Sequence, residues 1–142
     1  MTAAELALFG AVLAQVALTT VLYIALVRAR FAVASDRTQV RPEMAYDQSA
    51  WPLKARLISN SVTSQFELPV LFYAGALFAF ALGGVNWIAV ALAWLFVATR
   101  IAHAMIHTGK NVVMRRFQVF FAGFVILLVF WIVLAAHVFG GI

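Results

Sequence analysis

Cysteine is absent from the 142-residue chain, which excludes disulfides, thiolate nucleophiles and every cysteine-ligated metal site. Charge is scarce as well: five acidic residues stand against ten lysines and arginines, and charged residues of both signs make up only 11% of the sequence. A soluble domain of this size covers itself with charge, and this chain has too little to do so. There is no low-complexity linker and no internal repeat, so one domain over residues 1–142 is expected. What the chain has instead is apolar length, with 65% hydrophobic residues. Leu6 to Val27 and Phe117 to Ile142 contain no Asp, Glu, Lys or Arg, and each exceeds the roughly 20 residues that a helix needs to cross a bilayer.

Hydropathy and turn signals divide the chain into four membrane helices at about residues 3–29, 54–82, 86–108 and 113–138. The second is the least apolar, since its first half is polar and Glu67 lies inside it. Gly83-Gly84-Val85-Asn86 reads as a tight turn between antiparallel neighbours, and Gly109 stands where a helix C-cap glycine belongs. The fold class is therefore an all-α four-helix membrane bundle. The N-terminus lacks a basic leader, and its apolar stretch is too long for a signal-peptide core, so the first span is expected to remain in place.

The net charge of +5 does not point to nucleic acid, because the basic residues sit where a membrane protein places them. Arg28, Arg30, Arg37, Arg41, Lys54 and Arg56 flank or fill the first loop, Lys110, Arg115 and Arg116 the third, and the second loop and both tails have none. Positive-inside bias puts the basic loops in the cytoplasm and the termini outside.

Two polar stripes interrupt the apolar helices. At 100° per residue, Arg56 and Asn60 fall within about 20° of Glu67, with Thr63 and Ser64 flanking that line. In the third span Arg100, His103, His107 and Asn111 follow at spacings of three, four and four, which keeps them on one face. Glu67 and Arg100 lie roughly 15 and 12 Å below the basic surface by helical rise, a depth at which ionisable groups are costly unless paired. A Glu67–Arg100 ion pair is the expected solution. It serves either as a structural staple or as the floor of a pocket open to the cytoplasm. The mouth would be ringed by Arg28, Arg30, Arg115 and Arg116, and an arginine-rich pocket with one carboxylate suits a small anion that also carries an ammonium group. His103 and His107 have the spacing of a metal-binding pair but no evident third ligand, so no metal is expected. Trp131 and His137, near the outer end of the fourth span, read as interfacial anchors.

Two segments resemble the MAPEG family, the membrane-associated proteins in eicosanoid and glutathione metabolism. Ser64-Gln65-Phe66-Glu67-Leu68-Pro69 resembles the family's pattern of Asn-x-x-Glu followed shortly by Pro. Arg100-Ile101-Ala102-His103, with His107 and the later Arg115-Arg116, resembles Arg-x-x-His-x-x-x-Tyr and the arginine that opens helix four. The departures are Ser64 in place of the asparagine, His107 in place of the tyrosine, and Arg56 one position out of register. The resemblance, to a bacterial-type member of the inner membrane, implies a homotrimer that binds glutathione between subunits and acts on lipophilic small molecules. It implies that Arg116, or Arg115, activates the thiol. Arg28, Arg30, Arg56, Asn60, Ser64, Glu67, Arg100, His103 and His107 would hold glutathione.

The expected function is thus a glutathione-dependent membrane transferase or peroxidase acting on lipophilic electrophiles or lipid hydroperoxides. The alternative is a non-catalytic lipid-binding or scaffold protein of the same fold. A third class, a proton-coupled exporter built on Glu67, fits less well, because clustered arginines repel cationic cargo and no inverted repeat is present.

Overall fold

The computed structural model describes residues 1–140, which contain five α-helices: α1 (Ala3–Ala34), α2 (Leu53–Thr63), α3 (Leu68–Ala81), α4 (Trp87–Thr108) and α5 (Val113–Gly140). α2 and α3 are two halves of one span, so the chain crosses a membrane four times. α1 starts on a capping box, in which the Glu5 N–H donates to Thr2 Oγ1 and the Thr2 N–H donates to the Glu5 carboxylate. Its 32 residues extend to about 48 Å, well beyond the ~30 Å hydrocarbon layer. It ends past the expected position near residue 29 because Phe31 to Ala34 contain no helix breaker, and Ser35 caps it.

The second span differs from the continuous helix expected over residues 54–82. α2 ends at Thr63, Ser64–Phe66 form a 3-10 turn, Glu67 bends, and α3 begins at Leu68. Pro69 supplies the cause: it has no N–H to donate, and its ring clashes with the carbonyl four residues back, that of Gln65. Inside a bilayer the backbone groups freed at such a break need other partners. Gln65 Nε2 donates to the Ser61 carbonyl at 3.1 Å, and Arg100 Nη2 donates to the Ser64 carbonyl at 3.0 Å.

α3 closes on Gly83, whose φ of 68° lies in the left-handed region; the Gly84 N–H donates to the Ala79 carbonyl at 2.9 Å, a Schellman closure. Asn86 caps α4 by accepting from the Ala89 N–H at 2.9 Å. The main core lies towards this end, with Leu8, Ala11, Phe72, Ala76, Phe96, Leu127 and Phe130 buried together. Phe72 packs on Phe96 at 5.0 Å and on Phe130 at 6.2 Å between centroids. Trp131 ties α5 to α3: its indole donates to the Leu71 carbonyl at 3.2 Å. A smaller cluster of Leu22, Leu26, Ile58, Val62 and Ala104 holds α1, α2 and α4 together at the basic end. Leu6, Leu13, Ile24, Phe121, Leu128 and Ile132 are exposed, as is proper for faces that meet lipid.

The first loop is built around two aspartates. Asp36 accepts from the hydroxyl and N–H of Thr38 and from the Gln39 amide, and Asp47 accepts from the hydroxyl and N–H of Ser49. These bonds, led by the Thr38 and Ser49 hydroxyls, hold both carboxyls below the usual aspartate range.

α3 and α5 approach closely at Gly75, where a Cβ would lie 2.7 Å from Phe130 Cε1 and 3.2 Å from Trp131 Cε2. Phe130 is fully buried and cannot yield. Gly75→Ala should therefore cost about 1–3 kcal/mol through overpacking. At Gly10 a Cβ would meet only Trp94 Cζ2, at 3.4 Å, so Gly10→Ala should be neutral. Thermal unfolding of both variants in mild detergent checks the difference.

Candidate functional site

The break in the second span and the basic ends of α4 and α5 enclose a cavity of about 470 Å³, within the range of small-molecule sites. One wall comes from the α2–α3 span, with Asn60, Thr63, Ser64 and Glu67; a second comes from α4, with His103 and His107; the third comes from α5, with Val113, Arg116, Phe117 and Phe120. The expected polar stripes do converge. The apolar wall was not anticipated, although Val113, Phe117 and Phe120 share the helical face that carries Arg116.

The expected Glu67–Arg100 ion pair is not formed. Among the described residues the one ion pair joins the N-terminal ammonium to Glu5 at 4.0 Å. Arg100 is 1% exposed and donates from Nη2 to both the carbonyl and the hydroxyl of Ser64, at 3.0 and 2.7 Å. The bend leaves a main-chain oxygen in reach of the guanidinium and turns Glu67 outward, where it is exposed on the cavity wall. Arg100 thus sits beneath the site as the fastener of its bent wall, and the carboxylate remains available to a ligand.

On the opposite side, the α4–α5 turn fixes Arg116. The Gly109 N–H donates to the Met105 carbonyl at 3.0 Å, and the Asn111 N–H donates to the Ile106 carbonyl at 2.9 Å. A Cβ on Gly109 would lie 2.8 Å from the Met105 oxygen, so glycine is required for that approach. Asn111 takes a φ of 47°, a left-handed conformation that asparagine tolerates better than most residues. Its Oδ1 accepts from Arg116 Nη1 at 2.8 Å. His103 and His107 stack edge to face at 5.7 Å, and His103 lies 5.8 Å from Phe120. Both imidazoles have a buried Nδ1 without a hydrogen-bond partner.

Besides Arg100, four expected residues lie off these walls. Arg30 is held within the subunit: it donates to Gln48 Oε1 at 3.4 Å and Ser59 Oγ at 3.5 Å, and its guanidinium lies 5.0 Å from the Trp51 ring centroid. Arg28 borders a separate groove between α1 and α2. Arg56 and Arg115 are exposed; Arg56 stands one turn before Asn60 on α2.

The cavity combines one carboxylate, one anchored guanidinium, two imidazoles and several neutral hydrogen-bonding groups with an aromatic wall. Four helical spans long and apolar enough to cross a membrane, three of which wall this cavity, make this an integral, multi-pass membrane protein. The chain belongs to the MAPEG family, whose model matches residues 8–136, nearly its whole length. No curated protein and no solved structure gives a significant match.

The bonding at Arg100 makes opposite demands on two neighbouring residues. Ser64→Ala removes a buried bond to a charged donor and should cost about 1.5–3 kcal/mol. Glu67→Gln removes an exposed, unpaired carboxylate and should change stability by less than about 1 kcal/mol. Unfolding of the two variants in detergent checks this; a large loss for Glu67→Gln would mean that the carboxylate is paired with Arg100 after all.

Proposed function

We propose that the protein is a glutathione-dependent transferase or peroxidase that acts on lipophilic electrophiles or lipid hydroperoxides. The observation that carries this reading is the position of Arg116, fixed by Asn111 on a wall that is otherwise apolar. A guanidinium beside a thiol favours the thiolate and so raises the nucleophilic fraction. The neighbouring Val113, Phe117 and Phe120 offer the same point to a partner that arrives through the bilayer.

Membership of a family of glutathione and eicosanoid metabolism supports glutathione as the thiol, and the cavity chemistry fits the tripeptide. Glu67 complements its ammonium group; Asn60, Thr63 and Ser64 complement its amides. Its two carboxylates call for more positive charge than Arg116 supplies, and the exposed Arg56, one turn before Asn60, would meet one of them. His103 and His107 line the inner wall with donors and acceptors still uncommitted. On this reading the protein works as a homotrimer, as the family resemblance implies, with a neighbouring copy covering the open mouth. The basic loops face the cytoplasm, the source of glutathione, as the distribution of lysine and arginine supports.

The test separates activation from binding. With glutathione and a chloronitrobenzene electrophile, Arg116→Ala should lower turnover at saturation by about a hundredfold or more, as loss of one transition-state donor does, while glutathione affinity changes little. Arg115→Ala, which removes the same charge from an exposed position off the wall, should keep both. Equal losses of affinity in the two variants with turnover intact would remove Arg116 from the activating role.

A further inference from the structure

Asn111 stands just ahead of α5, which begins at Val113, and an asparagine at a helix start ordinarily accepts from the free N–H groups there. Here the acceptor goes elsewhere: Arg116 Nη1, five residues on, donates to Asn111 Oδ1 at 2.8 Å. The backbone that carries this oxygen is pinned from the other side, since the Asn111 N–H donates to the Ile106 carbonyl, on the last turn of α4, at 2.9 Å. Arg116 is itself placed by the first turn of α5, where its N–H donates to the Val112 carbonyl at 3.0 Å. Both ends of the side-chain bond are therefore tied to helices. The turn alone does not require asparagine. At a φ of 47° glycine meets no steric cost, so a residue chosen only for its conformation need carry no acceptor.

We infer that Asn111 is a positioning residue that directs Arg116 at the thiol, and that its neutrality is what leaves the charge of the guanidinium undiminished. The inference rests on the proposed activation of glutathione by Arg116. An acceptor is needed because an arginine side chain has many accessible rotamers, and only some of them bring its charge to one sulfur. A carboxylate would orient the group at least as firmly, since hydrogen bonds between charged partners are the stronger ones. It would also set a negative charge against the guanidinium, and the sulfur would then feel a pair rather than a cation. A cation lowers the pKa of a nearby thiol, and an anion beside it acts in the opposite sense. The amide oxygen supplies the orientation without the cancellation. Glu67 of the α2–α3 span and His103 and His107 of α4 face the same space. They are unchanged in every Asn111 variant below, so differences between those variants report on Asn111.

The experiment uses the full-length protein in mild detergent with bound glutathione. Thiolate absorbance is followed against pH, and turnover with a chloronitrobenzene electrophile and thermal unfolding are measured on the same samples. Asn111→Gly keeps the left-handed turn and removes the acceptor. It should lower turnover at saturation by about tenfold or more, with little change in the KM for glutathione and no loss of unfolding temperature. Asn111→Asp keeps the acceptor and adds a negative charge, so the bound thiol should titrate about one pH unit or more higher than in wild type. Lys110→Gln makes the same change of net charge at the exposed neighbouring position and should leave titration and turnover as they are. An asparagine that serves the turn alone gives a different pattern: Asn111→Gly fully active, and Asn111→Asp with the wild-type titration. That result, alongside a wild-type thiolate that Arg116→Ala abolishes, would overturn the positioning role and keep the proposed function. Absence of a thiolate in wild type near neutral pH would overturn both. If Asn111→Gly fails to fold, Asn111→Asp decides the matter by its titration.

Discussion

A buried arginine fastened to a broken helix is the constraint on which the rest of the basic half depends. Pro69 cannot continue the hydrogen-bond ladder, so the second span opens at Ser64–Glu67. An open carbonyl in a bilayer interior has no water to turn to, and Arg100 meets it from α4. The exchange suits both partners. The backbone oxygen gains a charged donor, and a guanidinium that would be costly to bury gains acceptors without consuming a carboxylate. Its Nε and Nη1 still lack partners, so the fastening leaves Arg100 with unused donors beneath the cavity.

That economy separates structure from chemistry. Were Glu67 neutralised by Arg100, the cavity would present hydroxyls, an amide and imidazoles with no free negative charge. Because Ser64 takes the guanidinium instead, the one carboxylate stays exposed on the wall. The opposite end of the bundle makes no such provision. There the helices close through aromatic stacking and close approach at small residues: Gly75 lies against Phe130, and Gly84 lies 2.9 Å, at its missing Cβ, from Leu134 Cδ1. In lipid, where association of helices depends on packing rather than on expulsion of water, such close approaches hold a bundle together.

The four spans were legible in the sequence because uninterrupted apolar length is a one-dimensional property, and the convergence of the polar stripes followed from helical periodicity. The break at Ser64–Glu67 was signalled by Pro69, yet proline alone does not say whether a membrane helix kinks, unwinds or simply starts again; here the reply comes from Arg100, thirty-six residues away from Ser64. The same non-local bond undid the expected Glu67–Arg100 pair, since a calculation of depth sees two opposite charges and not the main-chain oxygen between them. Arg28 and Arg30 were both expected at the mouth, at the basic end of the first span. They are two residues apart, so α1 points them about 200° apart in rotation, and they take up different surroundings: Arg30 packs on Ser59 and Trp51, while Arg28 borders the groove between α1 and α2.

Arg116 shows how a short turn can set the chemistry of a site. An arginine on a mobile stem at a membrane surface would spend itself on solvent and lipid phosphates. Here Gly109 allows α4 to close tightly, Asn111 accepts the left-handed conformation that follows, and its amide oxygen then holds Arg116 Nη1. The remaining donors of that planar group are left to the cavity, beside Phe117 and one helical turn from Phe120. Four consecutive steps therefore link a backbone requirement to a fixed positive charge, and each uses a different property: the missing Cβ of glycine, the tolerance of asparagine for positive φ, the acceptor of its side chain, and the fork of the guanidinium. For a reaction between a water-soluble thiol and a membrane-soluble electrophile, a fixed charge of this kind belongs at the boundary between a polar wall and an aromatic one, which is where this turn holds it.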